Sequence, residues 1–151
     1  MRPAAAVPRA VLDTTVLVSA FLKPVPEGPA FRLLGLASDD AFELYLSDDI
    51  LAETADVLLN RKHLRKRYHY PDSAVDQFCK GLADLAVAVV SDPPPVQVVR
   101  DPNDNMIVAC GLAAKADYIV TRDKDLLSLG RHQSIEMITP EAFLQVLRDT
   151  E

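Results

Sequence analysis

Short apolar runs alternate with helical patterns along this chain, and each apolar run is closed by a polar residue. The runs with strand character cover residues 10–13, 42–46, 86–90, 118–121 and 136–138. Between them, apolar residues recur at three- and four-residue spacing, which predicts helices over 14–22, 30–37, 48–59 and 71–85, and from 102 and 140 onward. This alternation predicts a three-layer α/β/α sandwich with a central, mostly parallel sheet of about five strands.

Proline, glycine and capping residues predict where several helices begin and end. Prolines and a glycine in residues 24–29 predict a loop between the first two helices. Ser47 is placed to cap the third helix, since serine is a preferred N-cap residue. Pro102 and Pro140 each stand at a first helical position, where proline is favoured.

The bulk composition is that of a globular chain with an acidic balance. Its 151 residues fit one domain, with residues 1–8 expected to form a ragged tail. No apolar run reaches the ~18 residues of a membrane span, and Cys79 and Cys110 form no CxxC pair, so we expect a cytoplasmic protein without a zinc site or a disulfide framework. A net charge of −6 argues against an open, sequence-independent nucleic-acid binder, but not against a nuclease whose acids hold a metal ion.

Four acids occupy positions from which they could reach one edge of the sheet. Asp13 and Asp123 each follow a predicted strand, and parallel sheets bind ligands beyond the carboxyl ends of their strands; taken singly, each also suits a plain helix N-cap. Asp104 opens a helix that Asp101 alone would cap, which leaves Asp104 free for a ligand. Glu53 flanks the apolar stripe of its helix, where a solvated glutamate is the commoner outcome. We expect all four to meet in one cavity.

Such a cavity would require a cation, because four neighbouring carboxylates repel one another. Mg²⁺ or Mn²⁺ is the expected ion, since both prefer oxygen ligands, and the expected reaction is hydrolysis of a phosphodiester bond. The chain has no GxSxG, GxxxxGK[ST] or GxGxxG motif, and its three histidines show no metal-ligand spacing and are expected at the surface. The residues expected to support the acids are Thr15, Thr121, Asp101 and Asn105.

Three blocks of the sequence resemble the PIN-domain family, of the VapC-like kind found as toxins in toxin–antitoxin pairs. They are VLDTTVLVSAF, LSDDILAETADVLLNR and RDPNDNMIVACGLAAKADYIVTRDKDLLSL. The resemblance places the family's acids at Asp13, Glu53, Asp104 and Asp123. It implies Mg²⁺- or Mn²⁺-dependent cleavage of single-stranded RNA or of a structured RNA loop, a homodimer, and a cognate antitoxin protein that occludes the site.

One position departs from the family pattern. Members usually carry asparagine two residues after the first acid, and this chain carries Thr15. A hydroxyl can still hydrogen-bond a carboxylate, but it lacks the donor and acceptor pair of an amide. We therefore expect an altered orientation of Asp13 and weaker activity.

RNA cleavage also calls for positive groups near the acids. The only concentrated basic stretch is residues 61–70, with Tyr68 and Tyr70 available to stack on unpaired bases. A solvated helix end is the alternative for this stretch, because basic residues favour helix C-termini. The predicted RNA contacts are Arg61, Lys62, Arg65, Lys66, Arg67, Arg122 and Lys124, and Arg100 also lies close to the acids in sequence.

Two other functions remain open at this stage. A catalytically weak or inactive PIN-like module that binds RNA or a partner is supported by Thr15, whereas the presence of all four acids argues against it. A phosphatase with an aspartate nucleophile after the first strand is disfavoured, because its pattern needs a second aspartate at the position of Thr15.

Overall fold

The computed structural model describes residues 7–23 and 28–150. The strands are β1 (Arg9–Leu12), β2 (Glu43–Ser47), β3 (Ala88–Val90), β4 (Tyr118–Val120), β5 (Arg131–His132) and β6 (Ile135–Ile138). The helices are α1 (Thr14–Leu22), α2 (Pro29–Ser38), α3 (Asp48–Asn60), α4 (Lys62–Tyr68), α5 (Asp72–Leu85), α6 (Pro102–Ala114), α7 (Lys124–Leu129) and α8 (Pro140–Asp149).

The strands form one sheet in the order β3-β2-β1-β4-β6-β5, parallel except for β5. Ala10, Val11 and Leu12 in the central strand are all fully buried. Because successive side chains of a strand point to opposite faces, both faces of the sheet must be covered by helices. The predicted three-layer α/β/α fold with a mostly parallel sheet is thus confirmed.

The register of the central strands sets the position of the candidate site. Leu12 pairs with Val120, and Val120 pairs with Ile138. The chain continues from this row with two backbone hydrogen bonds, from Asp13 N to the carbonyl of Val120 at 3.0 Å and from Thr121 N to the carbonyl of Ile138 at 2.9 Å. The residues that follow β1 and β4 therefore emerge side by side at the carboxyl edge of the sheet.

The predicted helix starts agree closely with the structure. Ser47 caps α3 by accepting a hydrogen bond from Ile50 N at 3.1 Å, and it also closes β2, which ends one residue later than predicted. Pro102 and Pro140 are the first residues of α6 and α8. Pro29, predicted to lie in a loop, instead begins α2, because its fixed φ suits a first helical position. Residues 24–27 of that predicted loop lie outside the described residues.

Several smaller elements differ from the prediction. The basic stretch forms a helix of its own, α4, separated from α3 by Arg61. Helix α7 and the two-residue β5 had no prediction, and β5 makes the sheet six-stranded rather than about five-stranded. Of the predicted ragged tail, residues 1–6 lie outside the described residues, while Pro8 already accepts a backbone hydrogen bond from Glu43.

Two further observations concern sulfur chemistry and membranes. Cys79 and Cys110 are free thiols. Over residues 7–23 and 28–150, every helix is too short or too polar to cross a lipid bilayer.

Candidate active site

Five carboxylates line a single cavity at the carboxyl edge of the sheet. The cavity has a volume of about 350 Å³, and we call it the acidic cavity. Its acids are Asp13, Glu53, Asp101, Asp104 and Asp123. The structure therefore brings together the four acids that the sequence places at one edge, from four separate segments of the chain.

Asp13 follows β1, is 4% exposed, and caps α1. Its Oδ1 accepts hydrogen bonds from Thr15 N at 2.7 Å and from the Thr15 hydroxyl at 2.6 Å. Its Oδ2 accepts a short hydrogen bond from the hydroxyl of Thr121. The Asp13 side chain thus both caps α1 and lines the cavity. Its orientation is fixed by the two threonines.

Thr121 links the two acids that follow the central strands. Its side chain is fully buried. Besides donating to Asp13, its hydroxyl oxygen accepts a hydrogen bond from Asp123 N at 3.0 Å. Asp123 in turn caps α7, since its Oδ1 accepts from Asp125 N at 2.8 Å and from Leu126 N at 3.3 Å. This chain of hydrogen bonds sets Asp13 and Asp123 in a fixed relation across β1 and β4.

Asp104 is the least compensated acid of the cavity. It lies in the first turn of α6 and is 7% exposed, and its Oδ2 is buried without a hydrogen-bond partner in the described part of the chain. Asp101 accepts the capping hydrogen bond from Asn103 N, so Asp104 is not needed as a cap. Burial raises the pKa of Asp104 to about 7, with further contributions from the charges of Asp123, Asp101 and Asp13 and from a hydrogen bond to Asp123. Asp104 is therefore a buried carboxylate that lacks a positive partner.

Glu53 reaches the acidic cavity from α3. Ile50, Thr54 and Val57 turn the buried face of that helix toward the core. Glu53 lies at the border of this face and is half-buried. Glu53 is thus part of the cavity lining and not a fully solvated side chain.

Two acids of the cavity and one acid outside its lining fit a hard divalent cation. Asp104, Asp123 and the exposed Asp125 each present a carboxylate oxygen, and these oxygens lie within 4.8 Å of one another. This group does not include Asp13 and Glu53, which line the cavity. Such clusters of oxygen donors suit Mg²⁺ or Mn²⁺, and a cation would also compensate the unpartnered oxygen of Asp104. Asp125 was not among the predicted ligands, although its spacing from Asp123, at the N-cap and the second residue of one helix, could have indicated it.

Asn105 was predicted to support the acids, but the structure gives it a different position. Its side-chain oxygen accepts hydrogen bonds from Val98 N and Val99 N, and its amide donates to the carbonyl of Val99 at 2.8 Å. It lines a neighbouring cavity of about 680 Å³ instead of the acidic one. Asn105 thus holds the segment that precedes α6.

Some of the predicted RNA contacts are engaged within the protein. Arg65 donates to the carbonyls of Leu59 and Tyr70 and forms an ion pair with Asp72 at 2.6 Å. Tyr70, a predicted base-stacking residue, donates its hydroxyl to the carbonyl of Leu58 at 2.6 Å and packs edge-on against the ring of Phe21. These contacts hold α4 against α3 and α1.

The remaining basic residues differ in their surroundings. Arg122 is held by Glu141, to which it donates two hydrogen bonds, and Lys124 is exposed beside Asp123 at the start of α7. Arg61 lines the acidic cavity, together with His63, which was predicted to be an ordinary surface histidine. The three other bases of the stretch are exposed, namely Lys62, Lys66 and Arg67.

An α/β/α domain that gathers carboxylates for a divalent cation at the carboxyl edge of its sheet belongs to a nuclease-type class of fold. A family model described as PIN domain matches residues 9–125, a span that contains all the acids of the cavity. The chain belongs to the PIN domain family, whose members are generally metal-dependent nucleases. Comparison with curated protein sequences finds no match.

Proposed function

We propose that this protein is a Mg²⁺- or Mn²⁺-dependent endoribonuclease that hydrolyses phosphodiester bonds of single-stranded RNA. The observation that carries the proposal is Asp104, a buried carboxylate with an unpartnered oxygen that shares a cavity with Asp13, Glu53 and Asp123. A buried acid of this kind is costly unless a cation compensates it. Catalytic use is the usual reason for keeping such a group in a cavity.

The residues of the site have different proposed roles. Asp104, Asp123 and Asp125 would hold the cation, with Asp13 and Glu53 facing the same cavity. When bound, a divalent ion supplies an acidified water and offsets charge on the phosphate. Thr15 and Thr121 keep Asp13 in position through hydrogen bonds to its two oxygens.

Substrate binding must overcome the acidic balance of the chain. Lys62, Lys66 and Arg67 are exposed on α4, next to the residues that line the cavity, and Lys124 is exposed beside Asp123. Positive groups of this kind bind the RNA backbone through its phosphates. Arg65 and Tyr70 are left out of the proposed RNA contacts, because their polar groups are satisfied inside the protein.

The resemblance of three sequence blocks to VapC-like toxins supports a proposal about the biological role and the partners. We propose a cytoplasmic toxin that forms a homodimer and is neutralised by a cognate antitoxin protein. Expression of the chain should arrest growth, and the Asp104→Asn variant should abolish the arrest. Growth arrest that persists in Asp104→Asn would separate any toxicity from the acidic cavity.

Cleavage of defined RNAs by the purified protein tests the enzymatic proposal. With Mn²⁺ present, we expect cleavage of a single-stranded RNA but not of its perfect duplex, and loss of cleavage in Asp104→Asn. Asp149→Asn is the matched control, because Asp149 is exposed at the end of α8 and remote in sequence from the site. Cleavage that survives EDTA, or that is equal in the two variants, would contradict the proposal.

Thr15 decides between an active enzyme and a binding module that has lost activity. Its hydroxyl holds Asp13 at 2.6 Å, which supports retained activity despite the departure from the family pattern. Thr15→Val should lower the cleavage rate by removing this hydrogen bond, and Thr15→Asn should change the rate or the metal affinity. RNA binding by the wild type without any cleavage, at saturating Mn²⁺, would favour the inactive module instead.

A further inference from the structure

The junction between α3 and α4 brings an arginine and a histidine into the lining of the acidic cavity. Arg61 and His63 line this cavity together with Asp104 and Asp123. Lys62 and Lys66 belong to α4 but are not part of the lining. The cavity thus has hydrogen-bond donors at one defined place, in addition to its carboxylates.

The backbone at this junction is held on both sides. Arg61 N donates to the carbonyl of Val57 at 3.2 Å, and the Arg61 carbonyl accepts from Leu64 N at 3.1 Å. The ion pair of Arg65 with Asp72 and its hydrogen bonds to backbone carbonyls fix the following turn of α4. Arg61 and His63 are therefore presented from a rigid part of the fold.

The side chains of Arg61 and His63 are not used by the protein itself. Both are exposed, and neither forms an ion pair or a side-chain hydrogen bond within residues 7–23 and 28–150. Arg65 and Arg122, in contrast, are bound to carboxylates. Thr14 also lines the cavity, and its buried hydroxyl has no partner among the described residues.

We propose that Arg61 and His63 form a phosphate-binding wall, so that the acidic cavity holds a single unpaired nucleotide of the RNA next to the cation. This inference rests on the proposed nuclease function and names the groups that position its substrate. An arginine fork matches the geometry of phosphate oxygens, and an imidazole N–H of His63 is a further donor. The volume of about 350 Å³ is near the lower end of small-molecule sites, about 300–1,000 Å³, which suits one nucleotide and not a duplex.

Aliphatic surface completes the site for a nucleotide. Val18 and Leu64 are half-buried and line the same cavity. They offer apolar contact to a ribose or a base, while the charged groups take the phosphate. A duplex would have to release one nucleotide from its stack before the phosphate reached the acids, which costs unstacking and unpairing energy. The wall therefore favours unpaired substrates.

Binding of uridine 3′,5′-bisphosphate in the presence of Mn²⁺ tests the wall, because this probe carries phosphates but no phosphodiester that could be cut. We expect Arg61→Ala to raise its dissociation constant about tenfold, the effect of losing one charge-assisted hydrogen bond. His63→Ala should raise it several-fold, and Arg61→Lys should restore part of the affinity. Arg32→Ala is the matched control, since Arg32 is exposed on α2 and is not part of the cavity lining, so the substitution removes one positive charge away from the site. It should change the constant by less than about twofold.

A longer single-stranded RNA provides the second readout. Its binding should weaken in both Arg61→Ala and Lys66→Ala, because each loses a backbone contact. If Arg32→Ala weakens the binding of the bisphosphate as much as Arg61→Ala does, the effect is general electrostatic attraction and the wall is refuted. No loss in Arg61→Ala would refute it equally.

Failure of the wall can be separated from failure of the nuclease proposal. Cleavage of RNA by the wild type, measured on its own, tests the nuclease. Cleavage combined with bisphosphate binding that is indifferent to Arg61 would remove the wall and leave the nuclease. Binding that depends on Arg61 without any cleavage would leave a nucleotide-binding wall in a protein that is not a nuclease.

Discussion

Replacement of Asp104 by asparagine should change how the stability of the metal-free protein depends on pH. The pKa of Asp104 is raised from 3.8 to about 7 in the folded state. The folded protein therefore binds this proton more tightly than the unfolded chain does. The resulting stabilisation is fully present below the unfolded pKa and is lost as the pH rises through the folded pKa.

The size of the effect follows from the two pKa values. One pKa unit corresponds to 1.36 kcal/mol, so the proton on Asp104 contributes on the order of 2–3 kcal/mol of unfolding free energy between about pH 5 and pH 8. The wild type should lose this amount over that interval. Asp104→Asn should lack this loss, since its amide does not titrate.

Urea unfolding in EDTA over that pH interval measures the difference. If the unfolding free energy of the wild type changes with pH in parallel with that of Asp104→Asn, the reasoning is refuted. Added Mn²⁺ should stabilise the wild type more at the alkaline end, because the ligands must be deprotonated to bind it.

Three further substitutions test individual contacts of the fold and the site. Asp125→Asn should raise the Mn²⁺ dissociation constant about tenfold or more, as for other groups around metal sites, which calorimetry would measure; an unchanged constant would remove Asp125 from the ligand set. Thr121→Val should lower the unfolding free energy by about 1–3 kcal/mol, because it leaves the buried Oδ2 of Asp13 without its donor, and a smaller loss by chemical denaturation would contradict this. Tyr70→Phe should cost about 1 kcal/mol of unfolding free energy through the lost hydrogen bond to Leu58 while leaving RNA affinity intact, and an unchanged unfolding free energy would contradict this.

The regular elements could be predicted because each carries its own local signal. Helix α1 was predicted over its full length from apolar spacing between Asp13 and the following prolines. The carboxyl ends of parallel strands lie at one edge, so Asp13 and Asp123 could be placed together without knowing the strand order. The common edge of Asp13 and Asp123 therefore followed from the parallel arrangement of the strands, whereas Asp104 and Glu53 lie on helices.

The short elements could not be predicted, since their signals are tertiary. Helix α7 has six residues, too few for a helical period to be distinguished. The two-residue β5 exists through its antiparallel pairing with β6, after a turn at Gly130, whose φ of 71° favours glycine. Neither the short helix α7 nor the pairing of β5 with β6 can be predicted from the local sequence.

The separation of structural from available charges was also beyond the sequence. Arg61 and Arg65 stand in one basic stretch, yet Arg65 is bound by Asp72 and backbone carbonyls, whereas Arg61 lines the acidic cavity. A long side chain can reach a partner that helical spacing does not place beside it. The exposure expected from the helix pattern therefore does not distinguish Arg61 from Arg65. His63 was overlooked for the same reason, because only the bend between α3 and α4 turns it toward the acids.

The most direct test of the account is the position of a bound cation. Anomalous diffraction from crystals soaked in Mn²⁺ should give a peak within bonding distance of carboxylate oxygens of Asp104 and Asp123, and Asp104→Asn should lose it. A peak elsewhere, or none at saturating Mn²⁺, would contradict the claim that these acids form a metal-dependent active site.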